Sequence, residues 1–140
     1  MSTVLYSQSF DVRQNDFVAA GEVSAQIKQR LKKMGMEPVL IRKIAIASYE
    51  AEINMIIHSY GGTMSVEVFP ELIVIVCADT GPGIPDISLA MQEGYSTASE
   101  DVRNMGFGAG MGLPNISKNS SEMDVQSSPS GTTITMKFSI

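Results

Sequence analysis

The sequence has few of the residues that define several common protein classes. Its 140 residues include one cysteine, one histidine and no tryptophan. One cysteine, Cys77, excludes an internal disulfide framework and suits a reducing cytoplasm, where we expect the protein to reside. Apolar runs are short, the longest covering residues 72–78, so we expect no membrane span. The first residues lack a basic segment followed by an apolar one, so no signal peptide is expected either.

The overall composition indicates a folded chain that does not bind nucleic acid. Hydrophobic residues make up 44% and charged residues 18% of the chain, which is typical of globular proteins. A chain of 140 residues can bury one core, so we expect a single domain over residues 1–140. The formal net charge of -5 argues against nucleic acid as the main partner.

Hydrophobic periodicity and turn residues predict nine elements. Asn15 is the expected cap of the first helix and Gly35 its stop. Residues 71–78 do not alternate, which predicts a strand buried on both faces. The predicted elements in chain order are strand 3–12, helix 15–34, helix 38–59, strands 63–69 and 71–78, a short helix 87–93, a helix from Gly112 to about Asn119, and strands 122–128 and 132–139.

The order of these elements predicts the fold class. Strands and helices do not alternate steadily, as they would in a doubly wound parallel sheet. We therefore expect an α+β protein, a two-layer sandwich with a mixed, mostly antiparallel sheet and helices on one face.

The second helix carries a polar row within apolar surroundings. Glu50, Asn54 and His58 are spaced by four and share one helix face. Polar side chains in such a helix must be hydrogen-bonded or line a cavity, because burying them unpaired costs about 1–3 kcal/mol each. The alternative is a solvated stripe that ends in a helix cap. Glu52 points to another side, and we expect it at the surface.

The stretch ADTGPGIPD, residues 78–86, follows the most apolar run. Asp79 ends the predicted buried strand, and Gly81 and Gly83 allow a ligand to approach the backbone without a Cβ in the way. A plain turn is the alternative interpretation. An EF-hand calcium loop is not, because its D-x-D-x-D-G order is missing.

A second glycine cluster, MGFGAGMGLPNI, precedes a predicted helix. Its glycines alternate, at positions 106, 108, 110 and 112. Exposed backbone N–H groups at a helix start favour phosphate, although a flexible hinge is also possible. The sequence matches neither the Walker motif nor a strict G-x-G-x-x-G. Finally, Gly131-Thr132-Thr133 opens the last strand and can be read alone as a hairpin.

In combination, E-x-x-x-N, D-x-G-x-G, G-x-G-x-G and a late G-T-T resemble the motifs of the GHKL ATPase superfamily, over about residues 10–140. The resemblance implies the histidine-kinase-like ATPase fold. Within the superfamily, DTGPGIPDISLAMQEGYSTAS and NMIIHSYGG resemble small bacterial anti-sigma regulatory factors and protein-serine kinases of the RsbT and RsbW type. The segment ASEDVRNMGF is an insertion relative to the short lid of the RsbT type and resembles the lid of the anti-sigma kinases.

This resemblance implies a site for ATP, or its product ADP, with Mg²⁺. Asp79 would accept a hydrogen bond from the adenine amino group, and Thr133 would make a second, water-assisted contact. Asn54 would be the magnesium ligand. The glycines that would approach the nucleotide are Gly81 and Gly83 at the adenine and ribose, and Gly106, Gly108, Gly110 and Gly112 at the phosphates.

The resemblance also implies catalytic roles and partners. Glu50 would be the general base for a serine or threonine hydroxyl, and Arg103 in the lid would neutralise charge on the transferring phosphoryl group. The expected substrate is a STAS-type anti-anti-sigma protein, with a sigma factor or a PP2C-type phosphatase as second partner and a homodimer as the assembly. The alternatives are a nucleotide-dependent anti-sigma binding module and a non-kinase ATPase module of a larger complex. His58 is not the expected phospho-acceptor, since no separate dimerisation helix carries it.

Overall fold

Five strands and three helices are formed by the residues that the computed structural model describes, 3–84, 87, 91–92 and 112–140. The predicted helix 87–93 lies largely outside these residues. The strands are β1 (Tyr6–Val12), β2 (Gly62–Val68), β3 (Leu72–Asp79), β4 (Glu122–Ser128) and β5 (Gly131–Ser139). The helices are α1 (Glu22–Lys33), α2 (Pro38–His58) and α3 (Gly112–Asn119).

The sheet has the order β1-β2-β3-β5-β4, and each of its strand pairings is antiparallel. This confirms the expected α+β two-layer architecture, with antiparallel pairing throughout in place of a mixed sheet. Because β5 lies between β3 and β4, the chain that leaves β3 returns at the edge of the sheet. Residue Ala78 pairs with Thr133, so the end of β3 lies beside the start of β5. This crossover brings the D-x-G-x-G stretch and the G-T-T stretch together.

The helices in the described part of the chain all lie on one face of the sheet. On β3, Ile73 and Ile75 point toward the helices and have no exposed surface, whereas Val74 and Val76 on the other face are half-buried. The expectation that β3 is buried on both faces is therefore wrong. The strand consists of apolar residues on both sides, but a two-layer fold has no second set of helices to cover them.

Helix α1 begins six residues later than predicted, with its N-cap at Gly21 and not at Asn15. Asn15 does not cap it; this residue has a φ of 58° in a turn, and Gly21 is the N-cap. Gly21 offers no side chain to the first helical N–H groups, and Glu52 accepts hydrogen bonds from them instead. The predicted stop is confirmed, because Gly35 follows the helix with a φ of 78°.

Helix α2 lies between α1 and α3 and packs on the sheet, which explains why it is apolar nearly all round. Its buried residues Ile44, Ala47 and Ala51 have no exposed surface, and Pro38 occupies its first turn, where proline is tolerated. None of the helices in the described ranges is long and apolar enough to cross a membrane. Helix α2 thus presents different polar residues to the helices on its two sides.

Candidate functional site

The side of α2 that faces α3 carries Glu50 and Asn54. Both side chains are half-buried. The side-chain amide of Asn115 in α3 donates a hydrogen bond to Oε1 of Glu50 at 3.2 Å. A Cβ on Gly112 would lie 3.0 Å from both the nitrogen and the oxygen of the Asn54 amide. The first turn of α3 therefore contacts both predicted site residues, and Gly112 leaves the space that Asn54 occupies.

Asp79 lies at the end of β3, on the same face of the sheet as the helices. Its Oδ1 accepts a hydrogen bond from the backbone N–H of Thr132 at 3.0 Å. Burial raises the pKa of the Asp79 carboxyl above its ordinary value, and the Thr132 N–H partly offsets that rise. A half-buried carboxylate anchored through one oxygen can offer the other to a donor on a ligand.

The adenine contact predicted at Thr133 needs correction. Side chains alternate along a strand, and Ile134 and Met136 of β5 are buried under the helices. Thr133 has the opposite orientation and lies on the uncovered face, away from the side chain of Asp79. Thr132 is the buried threonine beside Asp79. The G-T-T stretch does not by itself reveal which threonine faces the helices, so Thr132 was not among the predicted site residues.

The packing of their own loop favours glycine at position 81 and requires it at position 83. A Cβ on Gly81 would lie 3.0 Å from Cα of Ser59, at the end of α2. Gly83 has a φ of 78°, and a Cβ there would collide with the carbonyl oxygen of Ser128. Both glycines therefore have a structural reason that is independent of any ligand.

Hydrogen bonds fix the loop after Asp79 on both of its sides. The backbone N–H of Thr80 donates to the carbonyl oxygen of Gly61 at 3.1 Å, in the turn between α2 and β2. On the other side, the backbone N–H of Ile84 donates to the Ser127 hydroxyl at 2.6 Å. That hydroxyl is 2.8 Å from the hydroxyl of Thr132. The loop is thus held between α2 and the β4–β5 hairpin, which gives Asp79 a defined position.

Arg103, Gly106, Gly108 and Gly110 lie outside the described residues. His58 is the last residue of α2 and is exposed. The structure therefore brings Glu50, Asn54 and Gly112 together around α2 and α3, and positions Asp79 with Gly81 and Gly83 at the end of β3.

The described ranges contain no group of three or more histidine, cysteine, aspartate or glutamate side chains that could hold a metal ion. Asn54 offers a single amide oxygen, next to the space that Gly112 leaves. Mg²⁺ prefers oxygen ligands and keeps several waters when a nucleotide supplies the rest. A site with one protein ligand therefore fits Mg²⁺ and does not fit a metal that requires a full set of protein ligands.

The predicted surface position of Glu52 is wrong. It is 2% exposed. Its carboxylate accepts hydrogen bonds from the backbone N–H groups of Gly21, Val23 and Ser24 at 3.0, 3.3 and 3.0 Å. Burial raises the pKa of Glu52, and these N–H donors partly offset the rise. A sequence signal existed, because Glu52 lies four residues before the buried Ile56.

The fold and these motifs define a class of ATP-binding domain. Residues 14–138 match the family described as the histidine kinase-like ATPase domain, and the chain belongs to this family. A domain of this family implies the use of ATP.

Two curated relatives give the relationship more detail. The serine/threonine-protein kinase RsbT of Bacillus subtilis (strain 168) is 29% identical over 116 residues, 80% of this chain and 79% of that protein. The anti-sigma F factor of Thermoanaerobacter sp. (strain X514) is 36% identical over 102 residues, 69% of this chain and 68% of that protein. The relatives thus include a kinase and an anti-sigma factor.

Solved structures share the fold at low identity. A Mycobacterium tuberculosis chain with RsbU and RsbW domains aligns with a TM-score of 0.61 and 17% identity, over 94% of this chain and 32% of that longer chain. A chain of the SiaB–SiaC complex from Pseudomonas aeruginosa aligns with a TM-score of 0.63 and 13% identity, over 96% of this chain and 89% of that chain. At these identities the likeness shows a common fold only.

Proposed function

We propose that this chain is an ATP-dependent protein-serine/threonine kinase, a single domain over residues 1–140, that phosphorylates a STAS-type anti-anti-sigma protein. The observation that carries the proposal is the placement of Glu50. Its carboxylate is half-buried and faces Asn115 one helical turn from Asn54. A carboxylate in this position can reach a hydroxyl brought by a protein substrate, which a fully buried carboxylate cannot.

Glu50 orients the serine or threonine hydroxyl of the substrate and accepts its proton. A bond forms between the hydroxyl oxygen and the γ-phosphorus of ATP, the bond from that phosphorus to the β–γ bridging oxygen breaks, and ADP leaves. Such general-base assistance typically contributes about 10²–10⁴-fold to the rate. The proton on Glu50 then returns to solvent, since the side chain is only half-buried.

Asp79 and Thr132 form the adenine end of the proposed site. The carboxylate of Asp79 accepts a hydrogen bond from the adenine amino group through Oδ2, because the Thr132 N–H already donates to Oδ1. Thr132 replaces Thr133 as the second contact, through its hydroxyl. Asn54 would hold Mg²⁺, which would neutralise charge on the phosphates. Arg103 and the glycines at positions 106, 108 and 110 belong to the proposed phosphate-binding segment, outside the described residues.

The relatives support a regulatory partner exchange. RsbT is by name a serine/threonine kinase, and the other relative is by name an anti-sigma factor. We propose that phosphorylation of the STAS-type protein changes its affinity for this chain, which then binds a sigma factor or a PP2C-type phosphatase. A homodimer is the assembly we propose, in the cytoplasm.

The test is transfer of label from γ-labelled ATP with Mg²⁺ to a STAS-domain protein encoded in the same genome. We expect label on a serine or threonine of that protein. Glu50→Ala should abolish the transfer and leave ADP affinity unchanged. Glu122→Ala, a change at an exposed residue of β4, is the matched control and should transfer label at the parent rate.

Two other outcomes would contradict the kinase assignment. Label that remains on tightly bound ATP would indicate the second candidate, a nucleotide-dependent anti-sigma binding module, which the anti-sigma relative favours. Steady phosphate release without any acceptor would indicate an ATPase module of a larger complex.

A further inference from the structure

The first turn of α3 contacts the two functional side chains of α2 at once. Its residue Asn115 is 65 positions from Glu50 in sequence, yet their side chains are 3.2 Å apart. Gly112, three residues before Asn115, borders the amide of Asn54. Helix α3 is anchored in the core by Leu113 and Ile116, so this turn has a fixed position against α2.

We propose that Asn115 is a positioning residue for the reaction, which holds the carboxylate of Glu50 in the orientation needed to accept the proton of the substrate hydroxyl. This inference rests on the proposed function and names a residue to which the sequence patterns assign no role. The Asn115 amide donates to Oε1 and leaves Oε2 for the substrate.

The environment explains why a positioning partner is needed. Glu50 is half-buried on a helix, and its side chain can rotate about three bonds, so the carboxylate has no fixed orientation by itself. Hydrogen bonds to ionised groups are about twice as strong as neutral ones. Among the described residues, Asn115 is the donor to Glu50 that the structure records. A donor on a neighbouring helix therefore restricts the rotation of the carboxylate.

The placement of Asn115 also links the catalytic carboxylate to the glycine-rich sequence. Residues 106–112 end where α3 begins, and Asn115 is in the first turn after Gly112. The helix that carries the positioning amide is thus the continuation of the proposed phosphate-binding segment. A change in the start of α3 would alter the orientation of Glu50 and the space for Asn54 together.

The primary test is Asn115→Asp, which keeps the shape of the side chain and replaces the donor with a second carboxylate. We expect single-turnover transfer at saturating ATP to fall about tenfold or more. The KM for ATP should stay within twofold. The variant should remain folded with a small decrease in its unfolding midpoint, because the new carboxylate repels that of Glu50. Asn119→Asp on the same helix is the matched control, because its amide donates to a backbone group, the carbonyl of Asn115, at 2.8 Å.

Two further comparisons separate positioning from a general effect on structure. Asn115→Gln keeps an N–H donor and should recover part of the rate that Asn115→Ala loses. In a Glu50→Gln background, Asn115→Asp should have little additional effect on transfer, because Asn115 acts through Glu50. An unchanged rate for Asn115→Asp, or multiplicative losses in the double variant, would overturn the inference while the kinase assignment stands.

The unfolding equilibrium distinguishes failure of this inference from failure of the proposed function. If the parent protein transfers no label to any acceptor, the kinase assignment fails, and catalytic positioning by Asn115 fails with it. A cycle of Glu50→Ala and Asn115→Ala in urea unfolding then tests the contact itself. Non-additive midpoint shifts would establish the pair as structural, and additive shifts would show that the two side chains do not interact.

Discussion

The two sides of helix α2 carry glutamates that are two residues apart and have opposite environments. Toward α1, the Glu52 carboxylate is 2% exposed and accepts three backbone N–H groups. Toward α3, the Glu50 carboxylate is half-buried and accepts one side-chain amide. Both oxygens of the Glu52 carboxylate accept hydrogen bonds within the fold. Asn115 uses one oxygen of the Glu50 carboxylate, and the other remains for a substrate donor.

This difference separates a stabilising carboxylate from a candidate catalytic one. Glu52 replaces the missing side-chain cap at Gly21 and ties the start of α1 to α2. It cannot accept a substrate proton without losing those contacts. Glu50 is half-buried and lies one helical turn from Asn54, with one carboxylate oxygen not used by Asn115. Both positions carry the same residue type, so the difference between them comes from the neighbouring helix, α1 beside Glu52 and α3 beside Glu50.

The largest effect on stability is expected at Glu52. Replacement by alanine leaves buried N–H groups of α1 without an acceptor, and each such group costs about 1–3 kcal/mol. We expect Glu52→Ala to lower the free energy of unfolding by at least about 2 kcal/mol in urea titrations. Glu50→Ala should change it by about 1 kcal/mol or less. Equal losses for the two variants would remove the distinction between the two sides.

Asp79→Asn is expected to separate stability from binding. Because burial raises the pKa of Asp79, its carboxyl contributes stability that is present below its ordinary pKa of 3.8 and lost as pH rises through the raised value. At pH 7 the nucleotide-free variant should therefore unfold at the same or a higher temperature than the parent, since asparagine still accepts the Thr132 N–H.

The same variant should bind ADP about tenfold more weakly, because a neutral acceptor replaces a charged one. Calorimetry with ADP and thermal unfolding with and without ADP measure both effects. A variant that is less stable when empty, with normal ADP affinity, would indicate a purely structural Asp79.

A smaller effect is expected from Gly112→Ala. The added Cβ would lie 3.0 Å from the Asn54 amide and displace it by a few tenths of an ångström. We expect the gain in ADP affinity on adding Mg²⁺ to fall several-fold, with little change in affinity in EDTA. Ser117→Ala, at an exposed residue of the same helix, is the control. An unchanged magnesium effect would argue against Asn54 as the ligand.

The smallest expected effect is the difference in ADP affinity between variants of two adjacent threonines, Thr132 and Thr133. Thr132→Val removes a hydroxyl that contacts Ser127, and should weaken ADP binding a few-fold. Thr133→Val alters the uncovered face of the sheet and should leave ADP affinity unchanged. The reverse result would restore Thr133 as the adenine contact.

The sequence predicted the features that depend on local pattern. The four-residue spacing of Glu50 and Asn54 placed them on one helix face, and the apolar runs identified the strands and the long helix. The turn glycine at position 35 ended α1 as expected.

The features that the sequence analysis missed depend on contacts between distant segments. The partners of Glu52 are backbone groups 28–31 positions away, and Asn115 is 65 positions from Glu50. Backbone N–H groups occur at nearly every residue, so their pairing with one carboxylate leaves no mark in the amino-acid pattern. The choice between Thr132 and Thr133 depends on the register of β5 against β3. A slip of one residue in this register would move every side chain of β5 to the other face of the sheet.

The most direct test of this account is single-turnover phosphoryl transfer by Glu50→Gln, at saturating Mg²⁺-ATP and with a STAS-domain acceptor. We expect a rate about 10²–10⁴-fold below that of the parent, with ADP affinity and unfolding midpoint unchanged. Transfer at the parent rate by this folded, nucleotide-binding variant would contradict the catalytic role of Glu50 and the division of roles between the two sides of α2.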